Sequence, residues 1–75
     1  MNITDLKIGD IAKIVSINTD SSLKLRLQSL GIHRGVTIEV REFALGKQNV
    51  EIAIDDNLIG LRKYEMESIE VEKEV

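Results

Sequence analysis

The sequence predicts a mostly β protein: a small, partly open antiparallel barrel of about five strands, with one helix inserted between the first and second. Three observations lead there. Apolar and polar residues alternate over Val36–Phe43, with the register blurring at its end, and Val50, Ile52 and Ile54 alternate with Glu51 and Ala53, the period of a half-buried strand. Leu23, Leu27 and Leu30 recur at i, i+4 and i+7, the one helical period in the chain. The chain has 75 residues, so short strands must share one core, and closing them into a barrel removes exposed edges.

Taken in order, Thr4 is placed to cap a short turn through Leu6, and Gly9-Asp10 reads as the turn into the first strand, Ile11–Ile17. Ile14-Val15 breaks that strand's alternation, which calls for a bulge or for burial on both faces. Asn18–Ser22 is a polar connector, and the hydroxyls of Ser21 and Ser22 are placed to cap the helix that follows. Leu23, Leu27 and Leu30 are the expected docking stripe of that helix. Gly31 then supplies the left-handed residue that closes its last turn.

Val36–Phe43 is the second strand, with its register blurred at Phe43. Ala44–Asn49 is a loop with Leu45 at its tip, and Asp55-Asp56-Asn57 turns the third strand into the fourth. Gly60 marks a bend or a close backbone approach. Lys63–Ser68 suits one helical turn, Ile69–Val71 closes the set, and Glu72–Val75 is expected to fray.

Composition removes several functions. There is no cysteine and only one histidine, so disulfides, zinc-thiolate sites and thiol nucleophiles are excluded. Asp55-Asp56 lacks the spread of oxygen ligands a calcium loop needs, and reads as a turn. His33 has no triad around it, and Gly31 and Gly35 follow a helix where a phosphate-cradling loop would precede one. No cofactor is expected, and no catalytic or metal-ligating residue.

A net charge of −3, with one Phe and one Tyr, argues against a nucleic-acid groove. The N-terminus lacks the regions of a signal peptide, and no apolar run approaches the ~20 residues that cross a bilayer. A cytoplasmic protein without membrane insertion is the expectation. What remains is surface. Leu25 lies about 160–200° around the helix from the apolar stripe, and with Leu45 it suits a protein-binding patch. Arg26 lies at the margin of the stripe, its stem on the barrel and its charge in water, and a packing and bridging role is preferred for it over a partner contact. With Gln28, these make up the candidate partner-binding set: Leu25, Arg26, Gln28 and Leu45.

The chain resembles the FeoA family, the small ferrous iron transport protein A, over nearly its whole length. The resemblance runs through Leu6–Asp10, Arg26–Ile32, Gly35–Val40, Ala44-Leu45-Gly46, Leu61-Arg62 and Ile69–Val71. The core Arg-Leu-x-x-Leu-Gly-Ile-x-x-Gly is its most specific part. Two departures stand out: Arg34 where the family often has Pro, and no proline around Ala44-Leu45-Gly46, which implies a freer loop.

The resemblance implies an SH3-like barrel with an inserted helix, and a cytoplasmic accessory of FeoB, the membrane ferrous iron transporter that carries a GTPase domain. Binding of a transition metal ion is implied only at the level of the family. Two other readings stand beside the interaction module. One is a regulator of FeoB GTP hydrolysis, for which Arg26, Arg34 and Arg41 are available as an arginine finger. The other is a partner chain of a metal-responsive repressor of the DtxR type. The apolar patch would also serve a homo-oligomer.

Overall fold

The computed structural model describes residues 1–74. A single turn of 3-10 helix (Ile3–Asp5) leads into β1 (Ile11–Ile17), α1 (Ser21–Ser29), β2 (Thr37–Ala44), β3 (Asn49–Ile54), β4 (Asn57–Arg62), α2 (Lys63–Glu67) and β5 (Ile69–Lys73). The strands form one antiparallel sheet in the order β4-β3-β2-β1-β5. The two edge strands are not bonded to each other, so the barrel stays open between them. α2 joins them and packs against both.

The alternation seen in the sequence puts Ile38, Val40, Ile52, Leu61 and Ile69 on the inner face, each at most 1% exposed. Each fully buried aliphatic side chain contributes on the order of 1.5–3 kcal/mol of transfer free energy. The break at Ile14-Val15 is a bulge, where the register with β5 shifts between Ile14 and Ser16. A second shift between Val40 and Glu42 accounts for the blurred register at Phe43. Asp55-Asp56 forms the tight turn between β3 and β4, with Asp55 at a φ of 53°.

Five local expectations are corrected. Asn2 caps the first turn in place of Thr4, its Oδ1 accepting from the Thr4 amide at 2.8 Å while Asp5 accepts from the Asn2 amide. Asp20, rather than Ser21 or Ser22, caps α1, accepting from the Leu23 amide at 2.8 Å. A carboxylate reaches the free amides from one residue earlier and also complements the helix dipole. Gly60 neither bends nor crowds: β4 pairs regularly through it, and a Cβ there would meet nothing within 4 Å.

The C-terminal segment does not fray where expected. Lys73 pairs with Ala12, Glu72 with Lys13, and the Glu74 amide donates to the Ile11 carbonyl at 2.8 Å. Val75 lies outside the described residues.

The fifth correction concerns the docking stripe. Leu27 is fully buried and Leu23 half-buried against the core, but Leu30 is 38% exposed. Leu30 is the cap residue of α1, and Gly31 beyond it takes a φ of 87°. The Gly31 amide donates to the Gln28 carbonyl at 3.0 Å and the Ile32 amide to the Leu27 carbonyl at 2.9 Å, the paired bonds of a Schellman motif. That reversal turns Ile32 inward, fully buried in the same core as Leu27, in the place expected of Leu30.

Candidate partner-binding surface

α1 lies on the barrel through little of its own surface. Leu27 is its one buried residue, and Leu25, 200° around the helix from it, is 65% exposed. A helix with so small an apolar footprint needs a further tie, and Arg26 supplies it. Its guanidinium Nη1 donates to Oε2 of Glu65, whose side chain is 2% exposed at the start of α2. The other oxygen of Glu65 accepts from the Arg62 amide at 2.9 Å. Both carboxylate oxygens are thereby satisfied, as a buried charge requires.

Arg26 is 56% exposed, but the expectation that its charge stays in water is corrected: the guanidinium is directed inward to the buried carboxylate. While so paired it cannot also serve as a free arginine finger, whereas Arg34 and Arg41 are exposed.

The two flanks of α1 are different surfaces. On one side Arg26, Leu23 and Asp20 face Arg62, Tyr64 and Ser68 across a shallow groove. On the other, Gln28 and Lys24 face β1, His33 and Arg34. Arg26 and Gln28 thus belong to opposite sides of the helix, with Leu25 on its outer face. His33 is exposed in the connection after α1, its Nδ1 3.1 Å from the Arg34 carbonyl.

Leu45 is 77% exposed. Leu45, Gly46 and Lys47 hold successive left-handed backbones, with φ of 51°, 63° and 69°. A leucine costs roughly 1–2 kcal/mol in that conformation. The loop is fixed nonetheless. Lys47 Nζ donates to the carbonyls of Thr4 (2.9 Å) and Leu6 (3.1 Å), and it lies 4.6 Å from the centre of the Phe43 ring. The Lys47 ammonium, bound to main-chain oxygens on the N-terminal segment, replaces the stiffness that prolines would give.

Gln48 carries this loop to α2, its carbonyl accepting from the Lys63 amide at 2.9 Å. A second groove is lined by Gln48, Asn49, Lys63 and Glu67 together with Arg62 and Tyr64, the two residues it shares with the groove beside α1. A trough therefore runs from Arg26 to the foot of the Leu45 loop, with Tyr64, 54% exposed, at its middle. Sequence reasoning missed Arg62, Tyr64 and Glu65. Tyr64, as the chain's one tyrosine, was the available signal; nothing in Lys-Tyr-Glu-Met-Glu distinguishes the buried carboxylate from the exposed one.

Among the described residues no cluster of three or more His, Cys, Asp or Glu side chains is arranged to hold a metal ion, and no helix is long and apolar enough to cross a membrane. One carboxylate is clearly perturbed. The Lys7 amide, donating to Asp10 Oδ2 at 2.8 Å, holds the Asp10 pKa below its ordinary value. Partial burial opposes the shift and the Lys73 ammonium, 3.4 Å from Oδ1, reinforces it.

The fold is a small, mostly β domain of five antiparallel strands with one main helix. Residues 1–73 match the model of the FeoA domain, and the chain belongs to the FeoA family, which is associated with ferrous iron transport. It is 31% identical over 71 residues to the "Putative Fe(2+) transport protein A" of Campylobacter jejuni, covering 95% of this chain and 96% of that protein. The solution structure of the FeoA protein from Chlorobium tepidum superposes with a TM-score of 0.86 at 32% identity, covering 95% of this chain and 68% of that one. Iron(II) transport protein A from Clostridium thermocellum gives 0.89 at 30% identity, and 96% of this chain spans 44% of that longer one.

Proposed function

We propose that this protein is an interaction module of ferrous iron uptake that docks on the cytoplasmic part of a FeoB-type transporter, ferrous iron being the transporter's cargo. Membership of the FeoA family supports the setting. The observation that carries the docking surface is the pair of exposed leucines on rigid supports. Leu25 stands on a helix clasped by Arg26–Glu65, and Leu45 stands on a left-handed loop pinned by Lys47. Apolar side chains held outward by an ordered backbone lose little freedom on binding, which is what makes an interface residue effective. Tyr64 and Arg62 in the trough belong to the residue types that dominate interface energetics.

The test is binding of the purified protein to the soluble cytoplasmic domain of its cognate FeoB, with and without GTP. Leu25→Glu and Leu45→Glu are each expected to weaken binding by about tenfold or more. Binding by the parent that both variants retain unchanged would overturn this surface. No binding by the parent in either nucleotide state would overturn docking on that domain. Binding that depends on GTP would point to regulation of the GTPase, and binding indifferent to it to a scaffold.

A further inference from the structure

We propose that β4 pairs edge to edge with β4 of a second copy of this chain, in an antiparallel two-fold arrangement centred on Ile59. The two edges of the sheet are treated differently. β5 carries Glu70, Glu72 and Lys73, and the N-terminus lies along it: Asn2 bridges to Glu70, and the Val71 amide donates to the Met1 carbonyl at 2.8 Å. Among the described residues β4 is paired with β3 alone, with α2 packed against it. From Asn57 to Leu61 it contains no charged residue and no proline, the usual guards of an open edge.

The backbone shows which groups are free. Lys63 donates to Gln48 just beyond the ladder, so the main-chain groups of Asn57, Ile59 and Leu61 are the ones that turn toward β3. Those of Leu58, Gly60 and Arg62 turn outward. The Arg62 amide is taken by Glu65, but among the described residues no bond from outside the sheet reaches Leu58 or Gly60.

The strand is complementary to itself. It is preceded by Asp55-Asp56 and ends in Arg62. Antiparallel pairing about Ile59 brings Asp56, just before the strand, opposite Arg62 at its end, and two-fold symmetry repeats the pair. It also sets Leu58, 57% exposed, opposite Gly60, beside which there is open space for a side chain. Leu58 and Gly60 then exchange their free N–H and C=O groups as a hydrogen-bonded pair. Pairing about Gly60 instead would set Leu58 against Arg62 and lose the open space beside Gly60, which favours the register centred on Ile59.

Sedimentation of the full chain from about 1 μM to about 500 μM tests this. The expected result is a monomer that becomes a dimer as concentration rises. Leu58→Lys, at an exposed position, is expected to keep the parent's melting behaviour when dilute and to raise the dimer dissociation constant about tenfold or more. Ile59→Cys gives the chain its only thiol. At a non-hydrogen-bonded pair across the two-fold axis the Cα atoms lie about 4.5 Å apart, within disulfide reach. Oxidised glutathione is therefore expected to convert this variant to a covalent dimer.

A parent that stays monomeric throughout overturns the proposal and leaves the edge to a strand of another protein. A Leu58→Lys dimer as tight as the parent's overturns the use of this edge. A populated dimer that Ile59→Cys does not cross-link overturns the register.

Discussion

The Arg26 guanidinium on α1 donates to the buried carboxylate of Glu65 on α2, joining two elements far apart in the chain. Replacing Arg26 by Ala leaves that carboxylate buried with only the Arg62 amide as partner. A fully buried pair broken in this way costs about 3–5 kcal/mol, and the exposure of Arg26 reduces the figure to about 2–3 kcal/mol. The melting midpoint is expected to fall by roughly 10–20 °C. Glu65→Gln keeps an acceptor for Arg62 and leaves Arg26 free to be hydrated, so its cost is expected to be the smaller. Urea denaturation of the two variants decides the matter: equal losses would show that the buried charge is not what binds α1 to the barrel.

A second prediction isolates backbone conformation. At Gly31 a Cβ would meet nothing within 4 Å, yet φ is 87°. Gly31→Ala is therefore expected to cost about 1–2 kcal/mol through conformation alone. Gly60→Ala is the control, because it has the same open surroundings without a positive φ. There, in dilute solution, a gain of about 0.5 kcal/mol is expected from the stiffer unfolded chain. Thermal melts of the pair should move in opposite directions.

These two glycines also mark what was legible in the sequence. The strand pattern, the single helix and the Gly31 stop follow from periods and local backbone chemistry, which neighbouring residues determine. The burial of Ile32 in place of Leu30 depends on the reversal at Gly31, which carries the next apolar residue back onto Leu27. Periodicity cannot register that, because the helix has ended. The exposure of Leu25 was legible from its phase. A bridging role for Arg26 was legible too, but not its partner, which lies 39 residues away in a segment read only as a single helical turn. The separation of Arg26 from Gln28 likewise depends on which elements flank α1.

The Leu45 loop separates stability from binding. Leu45→Gly removes a left-handed leucine but adds freedom to the unfolded chain, two terms of about 1 kcal/mol that nearly cancel. Stability is expected to hold within about 1 kcal/mol while affinity for the FeoB domain falls about tenfold. Lys47→Met removes two charge-assisted bonds to the Thr4 and Leu6 carbonyls and is expected to cost about 1–3 kcal/mol. It should weaken binding as well, by releasing a loop whose Leu45 is still present. Calorimetric titration beside thermal melts distinguishes the two effects. A Leu45→Gly protein that binds like the parent would remove the loop from the interface.

Asp10 sets the acid limit of one tie in the fold. The Lys7 amide and then the Lys73 ammonium favour its ionised form, so its pKa in the folded protein lies below the ordinary 3.8. The unfolded chain therefore takes up this proton at a higher pH than the folded one. The stabilisation is fully present above the unfolded value and is lost as pH falls through the lower folded value. Asp10→Asn cannot follow that titration. The parent is expected to melt above Asp10→Asn at about pH 6, and the gap to close as pH falls from about 4 toward 2. Melts of both proteins across that range give the answer. A gap that stays constant down to the lowest pH would mean that Asp10 stabilises the turn by shape and neutral hydrogen bonding, not by its charge.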